Sequence, residues 1–161
     1  MNHVSYPKLK VYVGCALTHA SEDFKKQVEE FKQELRKICE VLCFLGIGED
    51  TPHAVYQHDI HNCVMRSDLL VAITDHPSIG LGYEMATQTE ARRKPLLAIA
   101  HEGSLVSDLI MDTRQHGYRF MRYTDLYVDV IPVVQSILAG IWAEHTHLPL
   151  FPLSPADETA A

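Results

Sequence analysis

From residue 78 to residue 84 the chain reads Ser-Ile-Gly-Leu-Gly-Tyr-Glu, a set of residue types suited to meeting a ligand. Gly80 and Gly82 lack a Cβ, so a bound molecule can come close to the backbone there, and Ser78 supplies a hydroxyl that donates and accepts. Read as a turn followed by a helix, the stretch puts Glu84 in the first helical turn. Unpaired N–H groups and the positive end of the dipole there favour an ionised carboxylate. Such a carboxylate at the mouth of a cleft is a nucleophile. Its plainer use is to complement the dipole and nothing more.

The elements around this turn say where it sits. Leu69 to Ile73 is a continuous apolar run, the pattern of a strand buried on both faces, and Met85 to Arg93 is rich in helix formers until Lys94-Pro95 stops them. Strand, loop and helix in that order place the loop at the carboxyl end of a parallel strand, where open α/β sheets hold ligands. Leu9 to Cys15 predicts a first strand, with Val11 and Val13 alternating against Tyr12 and Gly14 marking its end. Ser21 caps a helix whose Phe24, Val28, Phe31, Leu35 and Ile38 form one apolar face. Val41 to Phe44 predicts a second strand, residues 46–52 a loop, and Val55 to Arg66 a helix with Ile60 and Val64 on one side and Asp59 inside it.

Further on, Leu96 to Ala100 reads as a strand and Ser104 to about Asp112 as a helix with Leu105, Leu109 and Ile110 facing inward. Arg119 to Tyr123 is a fifth strand and Val130 to Trp142 a last apolar helix. The alternation predicts a flavodoxin/Rossmann-like three-layer α/β sandwich: a five-stranded, mostly parallel sheet with right-handed crossovers. One domain over residues 1–144 is expected, followed by a proline-containing tail, 145–161, that wraps the surface, frays or lies on a partner subunit.

Composition narrows the class. With 161 residues, 47% hydrophobic and 22% charged, the chain has the make-up of one globular domain. A net charge of −7 and a pI near 5.7 leave no basic field for duplex nucleic acid or an anionic membrane surface. No apolar run of membrane-spanning length is expected, and the first residues lack the regions of a signal peptide, so a cytoplasmic protein is the expectation. Cys15, Cys39, Cys43 and Cys63 have no CxxC spacing and read as reduced, mostly buried thiols.

The Ser78–Glu84 loop, preceded by Asp68-Leu-Leu-Val-Ala and followed by a helix ending in Lys-Pro, resembles the signature of the nucleoside 2-deoxyribosyltransferase-like family. Its Ser-x-Gly-x-Gly-Tyr-Glu form is most like the deoxynucleoside monophosphate N-glycosidase branch. The likeness spans Val11 to Tyr123 in pattern and is dense from Gln57 to Pro95. The resemblance implies that Glu84 attacks the anomeric carbon of a sugar, forming a covalent glycosyl intermediate. It implies that Asp59, in Gln57-His58-Asp59-Ile60, supports proton delivery to the base, and that Tyr12 positions the nucleophile. Cleavage of an N-glycosidic bond needs these two acidic roles, and two carboxylates in one pocket should hold unequal pKa values, with Glu84 kept ionised by the helix terminus.

The resemblance also places a phosphate grip in the loop from Gly14 to His19. Ala16 and Thr18 stand where the monophosphate glycosidases carry a serine and an arginine, which removes a charge and a hydroxyl, and His19 is the group able to restore charge. Ser107 matches a serine that reaches into the neighbouring subunit's site, so a homodimer with a shared site is expected.

The expected ligand is a small nucleoside or nucleotide, and no cofactor is expected. The expected activity is hydrolysis, with base exchange or a non-catalytic nucleotide-binding module as alternatives. A response-receiver domain is disfavoured because Tyr12 to Ala16 holds no acidic cluster. Gly80-Leu-Gly82 begins like a dinucleotide fingerprint but lacks the third glycine and follows the third strand, not the first. His53, His58, Asp59 and His61 match no zinc spacing, so no metal is expected.

Overall fold

The computed structural model describes residues 5–17, 20–43 and 51–146. Five strands form one sheet: β1 (Tyr6–Cys15), β2 (Cys39–Leu42), β3 (Leu69–Ile73), β4 (Leu96–His101) and β5 (Tyr118–Tyr123). Their order is β2-β1-β3-β4-β5 and every pairing is parallel, so the sheet is wholly parallel among the described residues. In this flavodoxin-like order the switch point falls between β1 and β3. Connections from these two strands leave to opposite faces, the arrangement at whose carboxyl ends open α/β sheets hold ligands.

The period of two along β1 sorts the layers. Val11 and Val13 face one core with Leu69, Val71, Leu97 and Ile99, covered by α1 (Glu22–Leu35) and α5 (Ile131–Thr146). Tyr12 faces the other core with Leu70, Ala72, Leu96 and Ala98, covered by Ile60, Cys63, Val64, Leu81 and Met85. The candidate chemistry lies on this second face. It is carried by α2 (Pro52–Tyr56) with its continuation, and by α3 (Ile79–Ala86).

Several helices depart from the sequence expectation. The predicted Val55–Arg66 helix is α-helical only to Tyr56, then π-helical over Gln57–Cys63 and 3₁₀ over Val64–Arg66; the Val64 N–H donates back five residues to the Asp59 carbonyl. Helix α3 begins at Ile79, not Met85, because the Ser78 hydroxyl caps it by accepting from the Leu81 N–H at 3.2 Å. It too widens into a π segment, Thr87–Ala91.

Helix α4 is the single turn Asp108–Met111 capped by Ser107. The expected inward helix from Ser104 is therefore absent, and Leu105 and Leu109 are 93% and 78% exposed; Ile110 alone of the three packs against the core. A π turn, Leu126–Val130, leads into α5. Leu126–His145 has a mean hydropathy of 1.6 and is long and apolar enough to cross a membrane, against the expectation of no such run. Its Val130, Val134, Leu138 and Ile141 lie in the core beneath the sheet. Helix α5 also passes the predicted domain limit at residue 144, running to Thr146.

Candidate active site

Tyr12 and Gly14 share a face of β1 and look toward α3. A Cβ placed on Gly14 would stand 2.8 Å from Leu81 Cδ1 and 3.0 Å from Glu84 Oε2, so any side chain at this position would displace Leu81 or Glu84. Tyr12 is 1% exposed and lies within β1, three residues short of its end. Its hydroxyl donates to the Glu84 carboxylate. Burial, with the negative charges of Glu84 and Asp59, holds the phenol far above its ordinary range, so it remains a protonated donor. Asp59 reaches the same neighbourhood from the π segment, and its charge acts on both Tyr12 and Glu84.

Glu84 is held differently from the sequence expectation. With α3 starting at Ile79, it falls in the second turn, beyond the free N–H groups of the terminus. The dipole therefore does not keep it ionised. Burial first and the Asp59 charge second raise it to about 7, against the opposing hydrogen bond from Tyr12.

The other predicted ligand residues form a second group. Ser78, Gly82 and Ser107 line a cavity of about 230 Å³ with Thr74, His76 and Leu81. Leu81 is the wall between that cavity and Gly14. The Ser78 and Ser107 hydroxyls accept helix-cap hydrogen bonds, which leaves their protons available to a ligand. Gly80 and Gly82 belong to α3, not to a loop. A Cβ on Gly80 would meet only Ser78 Oγ at 3.8 Å and one on Gly82 nothing within 4 Å, so packing does not require glycine at either. Thr18 and His19 lie outside the described residues.

Two further features escaped sequence reasoning. Asp75, just past β3, accepts from the His101 N–H at 2.5 Å, from Ser104 Oγ at 3.3 Å and from the Tyr123 hydroxyl. It joins the carboxyl ends of three neighbouring strands beside a separate cavity of about 260 Å³ on the α1 side. The available signal was an aspartate two residues past the end of an all-apolar strand. Arg92 Nη1 donates to the carbonyls of Val64 (2.5 Å) and Ser67 (2.8 Å) and to Gln88 Oε1 (2.7 Å). It thereby ties the end of the Asp59-bearing segment to the end of α3. Nothing in its linear context, Ala91-Arg92-Arg93-Lys94, distinguishes it.

No family model matches the chain. Two curated proteins do, both named "Putative 2'-deoxynucleoside 5'-phosphate N-hydrolase 1". The one from Syntrophotalea carbinolica is 38% identical over 96 residues, covering 60% of this chain and 62% of its own length. The one from Thermofilum pendens is 34% identical over 92 residues, covering 56% and 62%. The chain thus spans about 62% of the length of the curated relatives it matches. Among solved structures, the CMP N-glycosidase BcmB of Clostridium botulinum superposes with a TM-score of 0.52 at 20% identity, over 73% of this chain and 92% of that one, which shows the same fold. The resemblance to the N-glycosidases of the nucleoside 2-deoxyribosyltransferase-like family, first read from Ser78–Glu84, is therefore borne out by sequence in the two hydrolase relatives and by fold in BcmB.

Proposed function

We propose that the chain hydrolyses the N-glycosidic bond of a nucleoside or nucleoside 5′-monophosphate, with Glu84 as nucleophile, Asp59 as proton donor and Tyr12 as the group that orients Glu84. One observation carries this reading. A buried tyrosine hydroxyl is hydrogen-bonded to a carboxylate that feels a second carboxylate, beside the switch point of a parallel sheet. The names of the curated relatives and of the structural neighbour, all N-hydrolases or N-glycosidases of nucleotides, support it.

In the first step a Glu84 oxygen bonds to the anomeric carbon as the carbon–nitrogen bond breaks. The bond's electron pair leaves with the base, which takes a proton from Asp59. In the second step water attacks the glycosyl ester, gives its proton to Asp59 and frees Glu84. The reacting form has the pair's one proton on Asp59, which removes the charge that opposes ionisation of Glu84, and the Tyr12 hydrogen bond stabilises that ionised Glu84 and fixes the attacking oxygen. Ser78, Ser107 and the backbone at Gly80 and Gly82 take the rest of the substrate, and Thr18 and His19 serve its phosphate end. A homodimer closes the cavity, whose rim carries Leu105 at 93% exposure.

Release of free base from a panel of nucleosides and monophosphates tests the reading. Glu84→Ala should abolish release, and Asp59→Asn should slow it by ~10²–10⁴. Undiminished release by Glu84→Ala ends the nucleophile assignment. Incorporation of a labelled acceptor base into new nucleoside would assign base exchange in place of hydrolysis.

A further inference from the structure

The π-helical segment that carries Asp59 also gathers ligands that linear spacing hides. Residues five apart point about 140° away from each other on an α-helix. The wider π turn brings them back toward one side. Within Gln57–Cys63 this applies to His58 and Cys63, with Asp59 four residues before the cysteine. A ring nitrogen of His58, a carboxylate oxygen of Asp59 and the Cys63 sulfur all lie within 4.8 Å of one another. His58 Nε2, at 2.7 Å, and Cys63 Sγ, at 3.2 Å, also both reach the carbonyl oxygen of Cys43. The Cys43 thiol itself turns elsewhere, accepting from the Arg36 guanidinium at 3.0 Å.

We propose that His58, Asp59 and Cys63 form a binding site for a thiophilic divalent cation, zinc, with the Cys43 carbonyl or a water as the fourth donor. An imidazole nitrogen, a thiolate and a carboxylate are a zinc donor set; magnesium and calcium take oxygen ligands and would decline the sulfur. His58 and Asp59 are half-buried and Cys63 is buried, so the ion has a way in from the exposed side. Binding forms a zinc–sulfur bond and releases the thiol proton to solvent. Resting on the role proposed above for Asp59, the bound ion also takes up the carboxylate that would protonate the departing base. Zinc therefore inhibits base release reversibly, and a chelator restores it.

The test uses the full chain, stripped with chelator. Zinc is titrated in competition with a chromogenic chelator, and cobalt(II) is titrated separately as a spectroscopic probe. One equivalent per chain is expected, with a sulfur-to-cobalt charge-transfer band. Cys63→Ser should lose the band, and Cys63→Ser and His58→Ala should each weaken zinc by roughly tenfold or more. Cys43→Ser should keep both, since its thiol faces Arg36. Cys63→Ser and His58→Ala variants that keep the wild-type circular dichroism and the wild-type zinc affinity would overturn the site. Metal binding is read without turnover, so the two ideas fail separately. Normal zinc binding with no base release by the wild-type chain sinks the glycosidase reading alone, and absent zinc binding with Asp59-dependent release sinks the metal site alone.

Discussion

Desolvation and the neighbouring Asp59 push the half-buried Glu84 carboxyl up to about 7 from its ordinary 4.5, and two consequences follow for a single side chain. As nucleophile it must be ionised while Asp59 keeps a proton to donate, so the pair must hold one proton between them, and kcat/KM for base release should be bell-shaped, falling as pH rises through about 7 where that last proton is lost; a profile that goes on rising above about 7 would show that the pair donates no proton. Because the folded state binds this proton more tightly than the unfolded chain, the stability involved is whole below about 4.5 and lost as pH rises through about 7. Glu84→Gln cannot ionise, so chemical denaturation should find it more stable than wild type at about pH 8, by up to ~3 kcal/mol, with little of that gain at about pH 4.

Gly14 offers a steric counterpart. Gly14→Ala should cost ~1–3 kcal/mol in thermal unfolding and depress base release, since the new methyl meets Leu81 and Glu84 Oε2 together. At this scale the sequence was informative about identity and poor about environment. Glu84, Asp59 and Tyr12 were legible as types in a pattern, but the capping by Ser78 that moves Glu84 out of the first turn depends on how an eight-residue helix with two glycines chooses its start.

Both candidate carboxylates ride on helices that change pitch close by: Asp59 lies within a π segment and Glu84 three residues before one. Arg92 fastens the two segment ends, and its partner Gln88 is wholly buried, with Nε2 donating to the Pro95 carbonyl at 3.1 Å. Arg92→Met should therefore cost ~1–3 kcal/mol by leaving Gln88 and the Val64 and Ser67 carbonyls short of a donor. It should lower kcat more than it raises KM, with partial recovery in Arg92→Lys; equal effects on both constants would make the clamp purely structural. Gly82→Ala should stabilise α3 by ~0.5–1 kcal/mol while impairing base release, and unimpaired release would show that no ligand approaches that backbone. Strand β3 was legible to the residue because an apolar run bounded by Asp68 and Thr74 has few alternatives. The π turns were not, because an apolar face at three- and four-residue spacing looks the same before and after one residue is inserted.

At the scale of the whole molecule, the alternation of strands and helices gave away the architecture, while strand order and the open face did not follow from it. Ile79, 95% exposed, with Leu105 and Leu109, leaves an apolar surface beside the cavity. Sedimentation of the full chain should show a dimer that Ile79→Glu combined with Leu105→Glu converts to a monomer; a wild-type monomer at tens of micromolar, a concentration typical for association by one apolar face, would refute that use of the surface. Leu105 and Leu109 misled the sequence reading because periodicity reports that a side chain will be covered, without saying whether its own chain or another covers it.

The floor beneath Tyr12 and Gly14 is made of β1 and β3, and each of these strands has a neighbour on either side. Their amides should be among the last to exchange with deuterium, surrendering their protons only when the entire molecule opens. Breathing of that floor would not admit or release a ligand, which leaves entry and exit to the connections above it.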